Sequence, residues 1–483
     1  MAWYDSILNN LPEVEGPTQK RLSFKEKLKW TLIILGLFFV LGQIALFGLG
    51  SNELSRFEFL SIILGAEFGS IISLGIGPLV TSSIVLQLLN GSGIIKFDLT
   101  TSDGKRLFQG VQKLLSIFFI IFEAIIYVFM GGLSPEQAFL GTPLYLQLQL
   151  ILVFQLTLGG ILIMFMDEVV SKWGFGSGIS LFIAAGVSKS LFVRTFSWLH
   201  PVTQGVVDTS SYVGAIPELI RSLAAQDPQT AILMLSAIIA TLLVFVISIY
   251  AQAMKIEIPL SFGRIRGHGI RWPLSFIYTS NIPVILVAAL LANIQLWASL
   301  VQNWATSITS TGVMAKVANF LSVHIFGQAN TVNSGHGLVQ WVNPPDLVRG
   351  LITRSLTADQ MWSIIGYFLI MIVGAVIFSI FWMQTAGMDA KSQAKQIMAS
   401  GLQIPGFRKD QRVLERLLDR YIWPLTIMGA ITVGFLAALA DLTGALSRGT
   451  GILLTVMIVY KLYEEIAKQH MMDMHPMMRK FME

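Results

Sequence analysis

Residues 75–89, GIGPLVTSSIVLQLL, read as a membrane-spanning helix that begins with a break. Glycine and proline in a helix interior each cost stability, about 1 and 3 kcal/mol relative to alanine. Gly75, Gly77 and Pro78 crowd three of them into four positions, and an apolar run follows. The preceding stretch, FEFLSIILGAEFGSIISL at 57–74, is interrupted by Glu58, Gly65, Glu67 and Gly69 and makes a poor lipid-facing span. Non-helical backbone at membrane depth is tolerated only where protein buries it or where it lines a watery cavity. Two readings stay open: a Pro-kinked helix with an amphipathic lead-in, or a half-helix, a break and a full helix beside a cavity.

The whole chain supports a membrane setting. It has 483 residues, of which 54% are hydrophobic and 13% charged, and its mean hydropathy of +0.68 excludes a soluble multi-domain enzyme. Further apolar runs lie at Trp30–Leu49, Ile72–Leu89, Phe108–Met130, Leu146–Met166, Gly178–Phe192, Ala231–Ala253, Phe276–Leu300, Met361–Met383, Ile422–Ala440 and Ile452–Ile466. Each approaches the roughly 20 residues that span hydrocarbon, giving about ten helices. The expected fold class is therefore an all-α polytopic membrane protein of ten transmembrane helices. Five helices per half would place the halves in opposite orientation, as in an inverted repeat, although the halves share no visible sequence similarity.

An even count puts both termini on one face, and basic loops mark that face as cytoplasmic. Lys20, Arg21, Lys25, Lys27, Lys29, Lys96, Lys105, Arg106, Lys172, Lys255, Arg264, Arg266, Arg271 and the cluster 391–420 share it, against few in the opposite loops. The expected organisation is a cytoplasmic segment 1–29, an N-terminal half 30–195, an external loop 196–229, a C-terminal half 230–466 and a cytoplasmic tail 467–483. Within the second half, 254–274 and 384–421 are cytoplasmic loops and 301–360 an external one. The polar N-terminus has no leader pattern. With no cysteine, there is no disulfide or thiolate chemistry.

Glu123 falls mid-span in LSIFFIIFEAIIYVFM, where a charge costs on the order of 2.5–3.5 kcal/mol. It suits a proton or cation site, or a structural acid bonded to a neighbouring helix. The six histidines show no metal-ligand spacing, and no GxxxxGK[ST] cradles a nucleotide, so neither metal nor cofactor is expected. A secondary transporter also uses inverted repeats, broken helices and an intramembrane acid, but normally a cluster of ionisable groups. An intramembrane hydrolase lacks a catalytic pair here.

The blocks LGIGPLVTSSIVLQLLNGSGII, SKWGFGSGISLFIAAGVS, SNIPVILVAALLANIQL, SGLQIPGFRKD and GTGILLTVMIVYKLYEEI, in this order along nearly the whole chain, resemble the SecY family of translocon channel subunits in its archaeal form. The resemblance implies a ten-helix fold of two inverted pseudo-symmetric halves that conducts unfolded proteins without doing chemistry on them. It implies a plug at about 57–67, carried by Phe57, Phe59, Leu60, Ile62, Ile63 and Leu64, and a pore ring of Ile76, Val80, Ile179, Ile183, Ile285 and Leu454. Ile76 with Val80 and Ile179 with Ile183 are spaced i, i+4 and so share a helix face. Thr81, Glu123 and Asn293 correspond to the polar cluster of a lateral gate. Arg264, Arg266, Arg271, Arg408, Lys409 and Arg412, in loops whose basicity alone follows the cytoplasmic bias, correspond to ribosome-docking positions. The implied partners are SecE-like and SecG/beta-like small membrane subunits, the ribosome, signal sequences, nascent chains and membrane lipid. RNA contact would come only through the ribosome. The implied location is an archaeal plasma membrane, with the endoplasmic reticulum as the alternative.

Overall fold

The computed structural model describes residues 11–19, 22–52, 54, 61–62, 64–91, 94–95, 97, 101–203, 206–207, 209, 211–262, 269–279, 282–307, 320, 341–342, 346–399, 402–403 and 411–474. Local chemistry sets where the helices begin. Ser23 accepts from the Glu26 amide and starts α1, Phe24–Leu41; Gly42 ends it. After strand β1, Leu49–Asn52, comes α2, Gly77–Gly91. Thr101 caps α3, Ser102–Phe129, which leads to β2, Leu133–Pro135. Pro143 opens α4, Pro143–Trp173, where its missing N–H costs nothing. Then come α5, Gly178–Phe196, the β3–β4 pair, Val202–Thr203 and Val206–Val207, and α6, Ala215–Ala224. Asp227 accepts from the Gln229 and Thr230 amides to start α7, Pro228–Ala253.

The second part of the chain starts with a hairpin, β5, Lys255–Phe262, and β6, Gly269–Ser275. It continues through α8, Ile282–Ser307, α9, Leu347–Thr353, and α10, Ala358–Thr385, which opens on a Thr357–Gln360 capping box. It closes with α11, Ala390–Ala399, β7, Leu402–Gln403, α12, Gln411–Leu442, and α13, Gly449–Met474.

A helix occupies each of the ten expected spans. Among the described residues, seven are long and apolar enough to cross a membrane by length and composition. The other three explain themselves: α1 starts in Lys25, Glu26, Lys27 and Lys29, α2 has 15 residues, and α13 runs past its apolar part into Lys461, Glu464 and Glu465.

Several boundaries differ from the hydropathy reading. The ninth helix starts at Gln411 rather than Ile422, because Leu414 and Leu418, one turn apart, bury against Ile258, Leu274, Tyr278, Ala394 and Ile397 in a small core of its own. The seventh starts at Ile282 rather than Phe276, since β6 continues to Ser275 and Tyr278 donates to the Met388 carbonyl at 2.7 Å. Among the described residues, three small antiparallel sheets, β1–β2, β3–β4 and β6–β5–β7, accompany the helices and were absent from the all-α expectation. At β1, a Cβ on Gly50 would stand 2.2 Å from Glu136 Cα, so only glycine fits.

The main core gathers side chains from both parts of the chain, including Phe38, Leu64, Ile76, Val80, Ile120, Ile183, Ile285, Met371, Val433 and Leu454. Around it α2 packs against α3, α8 and α10, and α13 against α5 and α7.

Candidate functional site

The break before α2 is a built turn. Gly75 adopts φ +56°, and its amide donates to Ile72 O at 2.9 Å while the Ile76 amide donates to Leu64 O at 2.7 Å. A Cβ on Gly75 would lie 2.2 Å from Leu64 O, so glycine is required both by the left-handed backbone and by the close approach. Among the described residues, 61–62 are helical and 71–76 form turns before the full helix starts at Gly77, so the backbone breaks ahead of α2.

The lead-in lies on α5. Ile62 O stands 3.3 Å from where a Gly186 Cβ would be, a Cβ on Gly65 would lie 3.4 Å from Phe182 Cβ, and Lys189 makes an ion pair with Glu67. Positions 182, 186 and 189 are spaced i, i+4, i+7, so one face of α5 grips the segment. Ile62 is half-buried and Leu64 fully buried; Phe57, Phe59, Leu60 and Ile63 lie outside the described residues.

The six aliphatic ring candidates all belong to or border the main core. Ile76, Val80, Ile183, Ile285 and Leu454 are buried in the same core as Leu64, with half-buried Ile179 packed against it. They arrive on the α2 lead-in, α2, α5, α8 and α13. About one turn from Ile179, Ile285 and Leu454 lies a cavity of about 100 Å³, lined by Ser177, Ser180, Ile282, Ile458, Lys461 and Glu465 among others. It opens at the ends of α5, α8 and α13 that face the chain termini.

Thr81, Glu123 and Asn293 also meet. Asn293 Nδ2 on α8 donates to Thr81 Oγ1 on α2 at 2.9 Å. The Thr81 hydroxyl lies 3.2 Å from Glu123 Oε1 on α3 and 2.9 Å from Gly77 O, and its single proton serves either acceptor. Glu123 is buried, and its Oε2 has no hydrogen-bond partner among the described residues. Ser82 and Ser116, 2.7 Å apart, hold α2 to α3 nearby. The α2–α10 contact is close: a Cβ on Gly91 would stand 2.4 Å from the Phe381 ring.

The two basic loops are joined by strand pairing, with Ser261 opposite Gln403 and Phe262 opposite Leu402. Arg271 lies in β6 opposite Pro259, and Arg412 is exposed in the first turn of α12. Arg264, Arg266, Arg408 and Lys409 lie outside the described residues. Lys255 at the base of the hairpin bonds Glu464 of α13 at 2.9 Å, which raises the Lys255 ammonium above its usual range.

Sequence reasoning missed two features. Buried Asp441 at the end of α12 takes the Thr450 amide at 2.7 Å, the Thr450 hydroxyl and the Tyr367 hydroxyl at 2.5 Å, tying α10, α12 and α13 together. It follows the apolar run directly, where an acid reads as the start of a loop. The polar segment before α1 also docks: the Val14 amide donates to Glu168 Oε2 at 3.0 Å, Trp173 Nε1 to Glu15 O at 2.9 Å, and Gln469 Nε2 to Leu22 O at 2.9 Å. Its Glu13 is held below the usual carboxylate range by its hydrogen bond to Lys172. Irregular backbone of this kind leaves no periodic signal.

A family model described as SecY matches residues 70–463. The chain is 42% identical to protein translocase subunit SecY of Methanothermobacter thermautotrophicus, over 99% of this chain and 98% of that protein. It is similar to a solved SecY structure described in terms of a plug domain that stabilises the closed state of the translocation channel and maintains a membrane seal. That likeness has 40% identity and a TM-score of 0.77, over 97% of this chain and 98% of the other. It is also similar to Sec61 in the canine ribosome–channel complex from the endoplasmic reticulum, at 39% identity and a TM-score of 0.74, over 97% and 98%.

Proposed function

The chain belongs to the SecY family, and from that premise we propose how its residues conduct protein. It is a multi-pass membrane subunit of a protein-conducting channel. The observation that carries the reading is the seating of the lead-in: α5 holds it through the Lys189–Glu67 pair, and Leu64 lies in the main core to which the six aliphatic candidates from the α2 lead-in, α2, α5, α8 and α13 also contribute. Aliphatic walls exclude water and ions when closed and offer a passing chain no strong binding site. Residues of about 57–67 are the plug, and the break at Gly75–Pro78 is its hinge.

Asn293, Thr81 and Glu123 form the latch of a lateral gate, in which α2 and α3 part from α8 and α10. Interhelical hydrogen bonds in a membrane are worth only ~0.6–2 kcal/mol each. An apolar signal segment that binds the parted helices better than the closed ones shifts the equilibrium toward opening. The loops carrying Arg264, Arg266, Arg271, Arg408, Lys409 and Arg412 dock the ribosome, whose phosphates suit them. The halves 30–195 and 230–466 act as the two jaws. SecE-like and SecG/beta-like subunits complete the channel, both termini are cytoplasmic, and the membrane is the plasma membrane. The channel does no covalent chemistry; the driving force comes from the partner.

The test is translocation of a secretory precursor into vesicles containing this chain with its small subunits. Signal-dependent protection of the precursor from added protease supports the reading. Protection that is equal without the chain contradicts it.

A further inference from the structure

We propose that the connection between α5 and α7 is an anchor lying in the lipid–water interface at the membrane face opposite the termini. Helix α6 buries polar side chains beside Ala215 and Pro217 and turns its large apolar ones outward. Its charged and polar residues Glu218 and Ser222 are 5% and 0% exposed, whereas Ile220 and Leu223 are 53% and 65% exposed. A helix packed on a protein in water turns its apolar stripe inward. Here the inward face is satisfied by polar bonds: Glu218 takes the Arg221 Nε at 2.9 Å and the Tyr212 amide at 2.8 Å. The outward face is left apolar.

The chain leaving α5 shows the same inversion. Trp198 and Leu199 are 62% and 73% exposed, beside exposed Val213. They are held rather than loose. The Val213 amide donates to Leu199 O at 2.9 Å and the Gly214 amide to Ser197 O at 3.0 Å. The Trp198 and Tyr212 rings meet edge-on at 5.8 Å, and His200 stacks on Tyr212 at 4.7 Å.

Continuity selects lipid as the occupant. Exposed Phe192 and Phe196 bring the lipid-facing stripe of α5 up to Trp198, and exposed Ile232 and Leu235 resume it on α7 just after α6. Both ends of the connection are thus fixed to spans at one membrane face, and its exposed apolar side chains extend their hydrocarbon-facing surface. Tryptophan and tyrosine favour that boundary, and a helix lying there buries its apolar face in the headgroup–acyl border. This inference rests only on the chain spanning a membrane, so its failure would leave the channel reading intact.

The test uses the full chain with its partner subunits in lipid vesicles, which is direct because the chain has no cysteine. Nitroxide labels are placed singly through Ile220→Cys, Leu223→Cys and Leu199→Cys, with Thr18→Cys as aqueous and Leu242→Cys as lipid reference. Collision rates with molecular oxygen and with a water-soluble nickel chelate are compared. The anchor predicts an oxygen-to-nickel ratio several-fold above Thr18→Cys at all three sites, approaching Leu242→Cys. A ratio equal to that of Thr18→Cys would place the face in water, and shielding from both reagents would mean that protein covers it; either overturns the proposal. Leu199, outside α6, keeps the test decisive if substitutions in the helix disturb folding.

Discussion

At the scale of the residue, the latch and the plug contact are both weak by design of their surroundings. Asn293→Ala removes the 2.9 Å bond to Thr81 without adding apolar surface. At ~0.6–2 kcal/mol this shifts the gate equilibrium toward opening about 3- to 30-fold. Less hydrophobic signals should then be accepted in translocation assays, and an unchanged threshold would remove Asn293 from the latch. The Glu67–Lys189 pair is half-exposed on both sides, so its worth is at most about 1 kcal/mol. Glu67→Gln should raise open-channel events in reconstituted bilayers by no more than about fivefold, and Lys189→Met should add little on top of it. The sequence made Glu123 visible as a charge inside an apolar run. Glu67 and Lys189 were not visible as a pair, because 122 residues separate them and only the folded lead-in brings them together.

Elements were legible where hydrophobic length decides and illegible where backbone packing decides. The ten apolar runs marked the ten helices, whereas the early start of α12 depends on a second core that no local pattern announces. The strands escaped for the same reason: β7 is two residues long and is defined only by its pairing with β5. Glycines at close crossings carry the packing. A Cβ on Gly159 of α4 would stand 1.9 Å from the Ile71 carbonyl, while nothing lies within 4 Å of one on Gly36 of α1. Gly159→Ala should therefore destabilise by about 1–3 kcal/mol and lower the thermal midpoint of the detergent-purified protein. Gly36→Ala should leave it unchanged or raised, and equal effects would contradict the packing. Deleting 57–67 should leave a folded protein whose reconstituted membranes leak ions, since the ring then closes without its stopper. Wild-type conductance in that deletion would count against the plug.

On the scale of the molecule, opposing demands are divided between surfaces. The apolar ring must not hold the client, the polar latch must yield to a signal, and the basic loops must hold a large anionic partner. Joint reversal of Arg408 and Lys409 to Glu should weaken ribosome binding and flatten its salt dependence. Binding indifferent to both salt and reversal would remove the loops from that role. The ring was legible only through resemblance, because isoleucine and valine are common throughout such helices. The structure adds that five of the candidates and Leu64 are buried in the main core, with Ile179 packed against it. Passage of the client through this ring is the central claim, and the absence of native cysteine makes it testable with one engineered thiol. Ile183→Cys, reconstituted with the small subunits and presented with a ribosome-stalled precursor carrying a single cysteine, should form a disulfide that lipid-facing Leu242→Cys does not. No disulfide at Ile183, Ile76 or Val80 while ribosomes remain bound would mean that the client does not pass through this ring.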